Sequence, residues 1–196
     1  FKSVRRSGLI AIRLRHGDTL DWVAQSHGDD HVMLVTAKGQ SIRFKESDVR
    51  PMGRPAAGVN GMRLKRGDVV IGMTLIPAAL KGAVAHVLVL TERGYGKRTP
   101  LSAYKVQRRG GLGVKTAKVT SKTGMVVGMT LVPEVGSRKS EVGTPVAAEP
   151  TIIATSVKGQ VIRVPLNSIS VLGRATQGVR VMRLAEKDTV ASFTTF

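Results

Sequence analysis

Apolar and polar residues alternate over short stretches of this chain, and one such stretch occurs three times. The copies are LVTAKGQSIRF at 34–44, LVLTERGYGKRT at 88–99 and IATSVKGQVIRV at 153–164. Each has an apolar run, a turn that contains glycine, and a second run with a period of two residues. This pattern predicts three β-hairpins, in which Ile42 and Phe44 face one side of the strand and Arg43 faces the other.

Two further elements repeat together with the hairpins. A basic, glycine-containing segment occurs at 52–64, 107–119 and 172–184, with a shorter copy at 7–14. A turn followed by a short apolar strand occurs at 17–23, 67–73, 123–129 and 187–193. One unit thus holds about four short strands in roughly 50 residues, which is the size of a propeller-type blade. Helical periodicity is almost absent.

The sequence therefore predicts an all-β fold, a single domain over residues 1–196 that is built of four-stranded antiparallel blades. About four blades are expected, and the tail of a preceding blade occupies residues 1–7. Their expected limits are roughly 8–57, 58–112, 113–177 and 178–196. The segment 133–150 is rich in Pro, Gly and Ser, and we expect it to be a loop insertion at the rim of a blade.

Charge narrows the choice of partners. The 196 residues include 31 Lys and Arg against 13 Asp and Glu, a formal net charge of +18, and 42% of the residues are hydrophobic. A folded domain with this surplus favours an anionic partner, and nucleic acid is favoured over an acidic membrane surface. The chain has no cysteine, which excludes disulfides and thiolate sites, and no apolar stretch approaches the length of a membrane span.

Arginines recur in register with the blades. Arg43 and Arg54, Arg98 and Arg109, and Arg163 and Arg174 are each 11 residues apart. An arginine between two apolar strand residues is expected to point outward, so successive blades would present a line of cations to DNA phosphates. A further basic position follows each repeat glycine by five residues, at Arg13, Arg63, Lys118 and Arg183. The alternative is that exposed arginines on strands only serve solubility and protect sheet edges.

The glycine-rich segments beside these arginines predict close contact with phosphate, because a glycine backbone allows N–H groups to approach an anion. No recognition helix or zinc-finger spacing is present, and aromatic residues make up only 4% of the chain. Duplex binding through the backbone, with weak sequence dependence, is therefore expected. The predicted DNA-binding residues are Arg43, Lys45, Arg54, Arg63, Lys97, Arg98, Gln107, Arg108, Arg109, Gly110, Gly111, Gly113, Lys115, Arg163 and Arg174.

No catalytic or metal-ligating residue is predicted. His27 and His31 have the spacing of a helical metal pair, but the segment HGDDH favours a turn. Asp18, Asp68 and Asp188 occupy one repeat position, which favours a structural turn role. Tyr104 is expected in the core or at the rim, and Trp22 in the core.

The segment QRRGGLG at 107–113 resembles the seven-residue gyrase A box. The segments at 43–54, 94–99 and 171–179 resemble the blades of the C-terminal domain of the DNA gyrase A protein, in the same order and at similar spacing. The resemblance covers the chain apart from 133–150 and implies a β-pinwheel, a disc of blades with DNA wrapped around its basic edge. The box departs from the family at Leu112, where the family has lysine, and it lies in a middle blade, so it resembles a secondary copy.

By this resemblance, the domain wraps duplex DNA without sequence specificity and supports the ATP-dependent introduction of negative supercoils. It implies no cofactor in this domain, with ATP and Mg bound elsewhere in the holoenzyme. The implied partners are duplex DNA, the rest of the gyrase A protein and the gyrase B protein in an A2B2 assembly, with no membrane. The implied location is the bacterial cytoplasm, at the nucleoid. Two alternatives stay open, a propeller-type protein-interaction module and the C-terminal domain of the A subunit of topoisomerase IV.

Overall fold

The computed structural model describes residues 7–54, 56–80, 85–134 and 149–195. Strands are the main regular elements of these residues, and the helical segments among them are 3-10 turns of three residues each. The strands are β1 (His31–Thr36), β2 (Gln40–Lys45), β3 (Val70–Ile76), β4 (Ala85–Thr91), β5 (Tyr95–Pro100), β6 (Val114–Lys115), β7 (Val126–Pro133), β8 (Thr151–Ser156), β9 (Val161–Pro165), β10 (Val179–Arg180) and β11 (Val190–Thr195).

The three predicted hairpins are confirmed as β1–β2, β4–β5 and β8–β9, each antiparallel. Their turns contain Gly39, Gly94 and Gly159, which have φ angles of 76°, 74° and 85°. Residues with a side chain are strained at such angles, so glycine fixes the place where each hairpin reverses.

The strands form three antiparallel sheets in the described residues, and the all-β prediction is confirmed. Blade I has the order β3-β1-β2-β6, blade II the order β7-β4-β5-β10, and blade III the order β11-β8-β9. Strand β7 contacts both β3 and β11, so this edge of each blade lies towards the centre. Strands β6 and β10 form the opposite edge, which we call the rim.

The blades exchange strands. Strand β6 follows the β4–β5 hairpin of blade II along the chain but pairs with β2 of blade I. Strand β10 follows β9 of blade III but pairs with β5 of blade II. The predicted limits 8–57, 58–112, 113–177 and 178–196 therefore cut through sheets and are wrong, because each unit leaves its own blade, completes the preceding one and returns as the central strand.

The core lies between blades as well as within them. Met33 and Val35 of blade I pack with Val87 and Val89 of blade II in one buried cluster. Both faces of a middle sheet are consequently covered. Burial of each large apolar side chain contributes about 1.5–3 kcal/mol. The prediction for Tyr104 is confirmed, because it is 2% exposed and its hydroxyl lies 2.7 Å from Thr116 Oγ1.

Two predictions remain, one for a strand at 17–23 with Trp22 in the core and one for a rim loop at 133–150. The strand predicted at 17–23 is absent from the described residues 7–30, and Trp22 is 38% exposed instead of buried. Its alternating pattern finds no neighbouring strand there to pair with or pack on. The predicted rim loop 133–150 falls mostly on 135–148, which lie outside the described residues.

The recurrent aspartates hold turns together, as predicted. Asp68 accepts hydrogen bonds from the Thr36 hydroxyl at 2.7 Å and from the Lys38 backbone N–H at 2.9 Å. Asp188 accepts the equivalent bond from the Lys158 N–H at 3.1 Å. Each carboxylate thus ties the central strand of a blade to its hairpin turn.

Strand exchange requires glycine at the start of each exchanged strand, which leads to a stability prediction. Gly113 has a φ of 72°, and a Cβ there would collide with the carbonyl oxygen of Ser41. We expect Gly113→Ala to lower the free energy of unfolding by about 2–4 kcal/mol in denaturant titrations. Gly159 has a φ of 85° and open space around it, so Gly159→Ala should cost only about 1–2 kcal/mol. Equal losses would contradict the proposed contact.

Candidate nucleic-acid interface

The first arginine of each 11-residue pair connects blades, and the outward orientation predicted for Arg43 and Arg98 is wrong. They are 9% and 6% exposed. Arg43 Nη1 lies 3.4 Å from Leu101 O and 3.3 Å from Tyr104 O, on the 3-10 turn of blade II. Alternation correctly placed Arg43 opposite Ile42 and Phe44, but the next blade covers that face, so the guanidinium faces backbone carbonyls of that blade.

Arg98 repeats this arrangement one blade further on. Its Nε donates to Ile169 O at 2.7 Å, at the end of the 3-10 turn of blade III. Burial lowers the pKa of the Arg43 and Arg98 guanidinium groups, which nevertheless remain charged. Arg163 holds the equivalent position in blade III and is exposed, as predicted, with Nε 3.0 Å from Thr151 Oγ1.

The second arginine of the pair anchors the exchanged segment. Arg109 Nη1 donates to Asn60 O at 2.6 Å and its Nε to Asp48 O at 3.1 Å. Arg174 Nη1 donates to Lys115 O at 3.2 Å, which is the same repeat position as Asn60. Both side chains are half-buried. Part of each guanidinium is therefore hydrogen-bonded to the neighbouring unit. The sequence predicted only phosphate binding for these two arginines.

Lys97 is also buried, contrary to its prediction as an exposed DNA contact. It is 1% exposed, and its Nζ donates to Gly173 O at 2.7 Å and to Thr176 O at 3.1 Å. Burial, reinforced by the nearby Arg174 charge, lowers the pKa of Lys97 to about 8. The rim segment of the next unit covers this side of β5, so the ammonium group is enclosed.

The glycines of the box-like segment serve close packing. The Gly110 N–H donates to Gly61 O at 2.8 Å, and Gly111 O accepts the Arg63 N–H at 2.8 Å. The Gln107 N–H donates to Arg43 O at 2.7 Å. The segment is thus held against blade I on two sides. The Gly110 N–H, which was predicted to contact phosphate, is bonded within the protein instead.

The remaining predicted cations are exposed. They are Lys45, Arg54, Arg63, Arg108 and Lys115. Sequence reasoning omitted Arg180, on rim strand β10, at the position equivalent to Lys115. It also did not select Lys118 and Arg183, although their recurrence five residues after a glycine was visible; both are exposed. Lys115, Lys118, Arg180 and Arg183 lie on or beside the two exchanged strands, β6 and β10.

Arg180 belongs to a small cationic cluster around Tyr95. Its Nη2 donates to the Tyr95 hydroxyl at 2.9 Å, and its guanidinium lies 5.4 Å from the ring centroid. The Lys122 ammonium lies 5.5 Å from the same centroid. The hydrogen bond from Arg180 lowers the pKa of Tyr95 despite its burial. The aromatic ring thus holds two cations at the rim of blade II.

Few carboxylates neutralise these cations. The one ion pair found among the described residues joins His27 and Asp30 at 3.3 Å, and it requires a protonated histidine. A strongly basic surface without compensating carboxylates produces a positive potential along the rim, which attracts polyanions. The described residues contain no cluster of three or more His, Asp or Glu side chains that could hold a metal ion.

Comparisons with known proteins agree with this architecture. The family model described as the DNA gyrase C-terminal domain, beta-propeller, matches residues 30–77, 85–133 and 150–195, which contain the three hairpins and their central strands. The chain belongs to this family. It is 40% identical over 192 residues to the A subunit of DNA gyrase from Staphylococcus aureus (strain MRSA252), covering 98% of this chain and 20% of that protein.

Two solved structures are similar to this gyrase C-terminal domain family member. One is described as the structure of a DNA gyrase A C-terminal domain, with a TM-score of 0.76, 27% identity and coverage of 97% of this chain and 59% of the other. The second is the C-terminal domain of DNA topoisomerase IV, with a TM-score of 0.82, 25% identity and coverage of 100% and 55%. The chain spans about a fifth of the length of the curated gyrase relative. No helix in the described ranges could cross a membrane.

The buried arginines should stabilise the fold, unlike their exposed counterpart. We expect Arg98→Met to lower the free energy of unfolding by about 2 kcal/mol, because the Ile169 carbonyl loses a charged donor. Arg163→Met, at the same repeat position but exposed, should cost less than about 0.5 kcal/mol. Urea denaturation of both variants measures the difference, and similar values would show that Arg98 does not join blades II and III.

Lys97 should produce a distinctive dependence of stability on pH. The folded chain releases this proton near pH 8, whereas the unfolded chain holds it to about the ordinary pKa of 10.5. Between these values the unfolded state binds more protons, so stability rises with pH. The difference in free energy of unfolding between wild type and Lys97→Met should therefore shift in favour of wild type from pH 8 to 10.5. A difference independent of pH would contradict the assigned pKa shift.

Proposed function

We propose that this chain binds duplex DNA through its phosphate backbone, along the rim formed by β6, β10 and the segments that continue them. The observation that carries the proposal is the row of exposed cations at this edge, without carboxylate partners in the described residues. Arg108, Lys115, Lys118, Arg180 and Arg183 supply charge to this row. Side chains from two blades contribute to it, which suits a ligand with regularly spaced charges that follows a curved path.

Within a whole protein, we propose that the domain acts as the DNA-wrapping part of the A subunit of DNA gyrase. It contributes no catalytic group and no cofactor, and it supports ATP-dependent negative supercoiling by presenting a wrapped DNA segment to the rest of the enzyme. ATP and Mg bind elsewhere in the holoenzyme. The partners are duplex DNA and the gyrase A and B proteins, in the bacterial cytoplasm at the nucleoid. The family membership and the gyrase A relatives support this proposal.

A second candidate is the equivalent domain of topoisomerase IV, because a domain with that name gives the higher TM-score of the two solved structures. Ligation of a nicked circular plasmid in the presence of the 196-residue chain distinguishes the two. We propose that the gyrase domain wraps DNA in the positive sense, which leaves an increased linking number after the protein is removed. Binding without a change in linking number favours the topoisomerase IV candidate.

The binding surface itself is tested by charge removal at the rim. The variant Arg108→Gln/Lys115→Gln/Lys118→Gln removes three exposed cations. If these residues contact phosphates, the slope of log K against log salt for a duplex of about 40 base pairs falls in magnitude by about 2–3, since each contact contributes about 0.9. Fluorescence anisotropy at several salt concentrations measures both the affinity and the slope.

The matched control removes the same charge at turns that lead to central strands. It is Lys65→Gln/Arg66→Gln/Lys187→Gln, in which all three side chains are exposed. We expect its salt slope to change by less than about 1, because it loses long-range attraction but no phosphate contact. Equal effects of the two variants would show that binding is not localised at the rim. Salt-independent binding of the wild type, or none, would refute DNA binding through phosphates.

A further inference from the structure

One segment of the rim is held from below by a buried charge. The Lys97 ammonium group donates to the carbonyl oxygens of Gly173 and Thr176, to the Thr176 hydroxyl at 3.0 Å and to the carbonyl oxygen of Arg174. Four acceptors from three residues thus converge on one nitrogen, in a residue that is 1% exposed. The segment 173–177 is bent around this ammonium group.

The orientation of these carbonyls determines where the N–H groups point. In a trans peptide the C=O and the N–H of the same unit point in opposite directions. Carbonyls of residues 173, 174 and 176 that face Lys97 therefore direct the N–H groups of Arg174, Ala175 and Gln177 away from it, towards the surface. None of these three N–H groups has a hydrogen-bond partner in the part of the chain that the structure describes. Ala175 is exposed and its two neighbours are half-buried.

The equivalent segment on blade I lacks this arrangement. There Ile42 occupies the position of Lys97, and its side chain lies against Gly111. The N–H of Gly110, which corresponds to Ala175, is used within the protein, because it donates to Gly61 O at 2.8 Å. Lys97 thus lies beneath N–H groups that point outward, whereas Ile42 lies beneath a segment whose Gly110 N–H is bonded within the protein.

Two contacts fix segment 173–177 between blades while leaving its outer side open. The Lys118 N–H donates to Thr176 O at 3.0 Å, and Arg174 Nη1 donates to Lys115 O at 3.2 Å. The exposed side chains of Lys115 and Lys118 consequently flank the segment. Its surroundings are cationic, and the charge of Arg174 lies near the buried ammonium group of Lys97.

We propose that segment 173–177 is a main-chain phosphate site, in which the N–H groups of Arg174, Ala175 and Gln177 bind phosphate oxygens, and that Lys97 is the positioning residue that turns them outward. Successive backbone N–H groups directed to one side form concave anion sites. The ammonium below adds a positive potential that the anion meets without touching the lysine. The proposal rests on the DNA-binding function proposed above and assigns one backbone phosphate of the duplex to this place.

The direct test follows the backbone amide signals of the 196-residue chain by ¹H–¹⁵N NMR. During titration with a duplex of about 40 base pairs, the signals of Arg174, Ala175 and Gln177 should shift strongly downfield. The N–H of Gly110 on blade I, which is equivalent to that of Ala175 but donates to Gly61 O, serves as internal reference and should shift less. A parallel titration with inorganic phosphate separates a site for any phosphate from one that requires the DNA backbone.

A variant tests the role of the lysine. Lys97→Met keeps an unbranched side chain that is one atom shorter and removes the donor, and Ile162→Met is the matched control at the same repeat position in blade III. We expect Lys97→Met to bind the duplex about threefold to tenfold more weakly, with a salt slope lower in magnitude by about 0.9 and without the three downfield shifts. Ile162→Met should match the wild type in all three measurements.

The outcomes separate this proposal from the general one. If the duplex binds and the three amides do not shift more than the blade I reference, the phosphate site is refuted while DNA binding stands. If the duplex does not bind the chain at all and inorganic phosphate leaves the three amides unshifted, both proposals fail. If Lys97→Met binds and shifts like the wild type, Lys97 is not the positioning residue. Should that variant fail to fold, the wild-type titration alone decides on the phosphate site.

Discussion

The exchange of a strand between successive units is the constraint on which the rest of the structure depends. Each unit extends across the rim of the preceding blade, where β6 pairs with β2 and β10 pairs with β5. A blade without its neighbour lacks its outer strand, so folding of one unit is coupled to that of the next. The arginines strengthen this coupling from both sides. Arg43 and Arg98 bind the 3-10 turn of the following blade, while Arg109 and Arg174 bind the carbonyls of Asn60 and Lys115, which hold one repeat position in the preceding unit.

This constraint explains the 11-residue register of the arginines better than DNA binding does. A guanidinium group has five donors in a fixed plane, which suits backbone carbonyls that no strand partner occupies. The carbonyls at Tyr104 and Ile169 end their 3-10 turns and lie next to the preceding blade. Because the two residues of a pair must reach opposite neighbours, their spacing follows from the length of one turn and one loop. The exposed cations are a separate set, located where the exchanged strands meet solvent.

The sequence was informative where local chemistry determines the structure. Alternation and turn glycines predicted the three hairpins, and the recurrence of Asp68 and Asp188 predicted their role in turns. Alternation also separated Arg43 from Ile42 and Phe44, but it could not show that another blade covers the second face. Strand exchange was hidden for a similar reason. Strands β6 and β10 are two residues long, and nothing in their sequence states which hairpin they join. The burial of Lys97 and Arg98 results from contacts with residues that lie 71 to 79 positions away in the chain.

Because the blades repeat one architecture, their rims can differ in the chemical groups that they expose. Ile42, Lys97 and Ile162 hold one position in the three hairpins, and the backbone pairing around them is the same. In blade I an apolar side chain packs under the neighbouring segment, whose Gly110 N–H bonds to Gly61 O. In blade II an ammonium group collects the carbonyls, and the N–H groups turn to the surface. The hairpin tolerates either residue because strand pairing involves only the backbone. A single substitution beneath the rim can therefore change what the rim offers to a ligand while the blade that supports it stays unchanged.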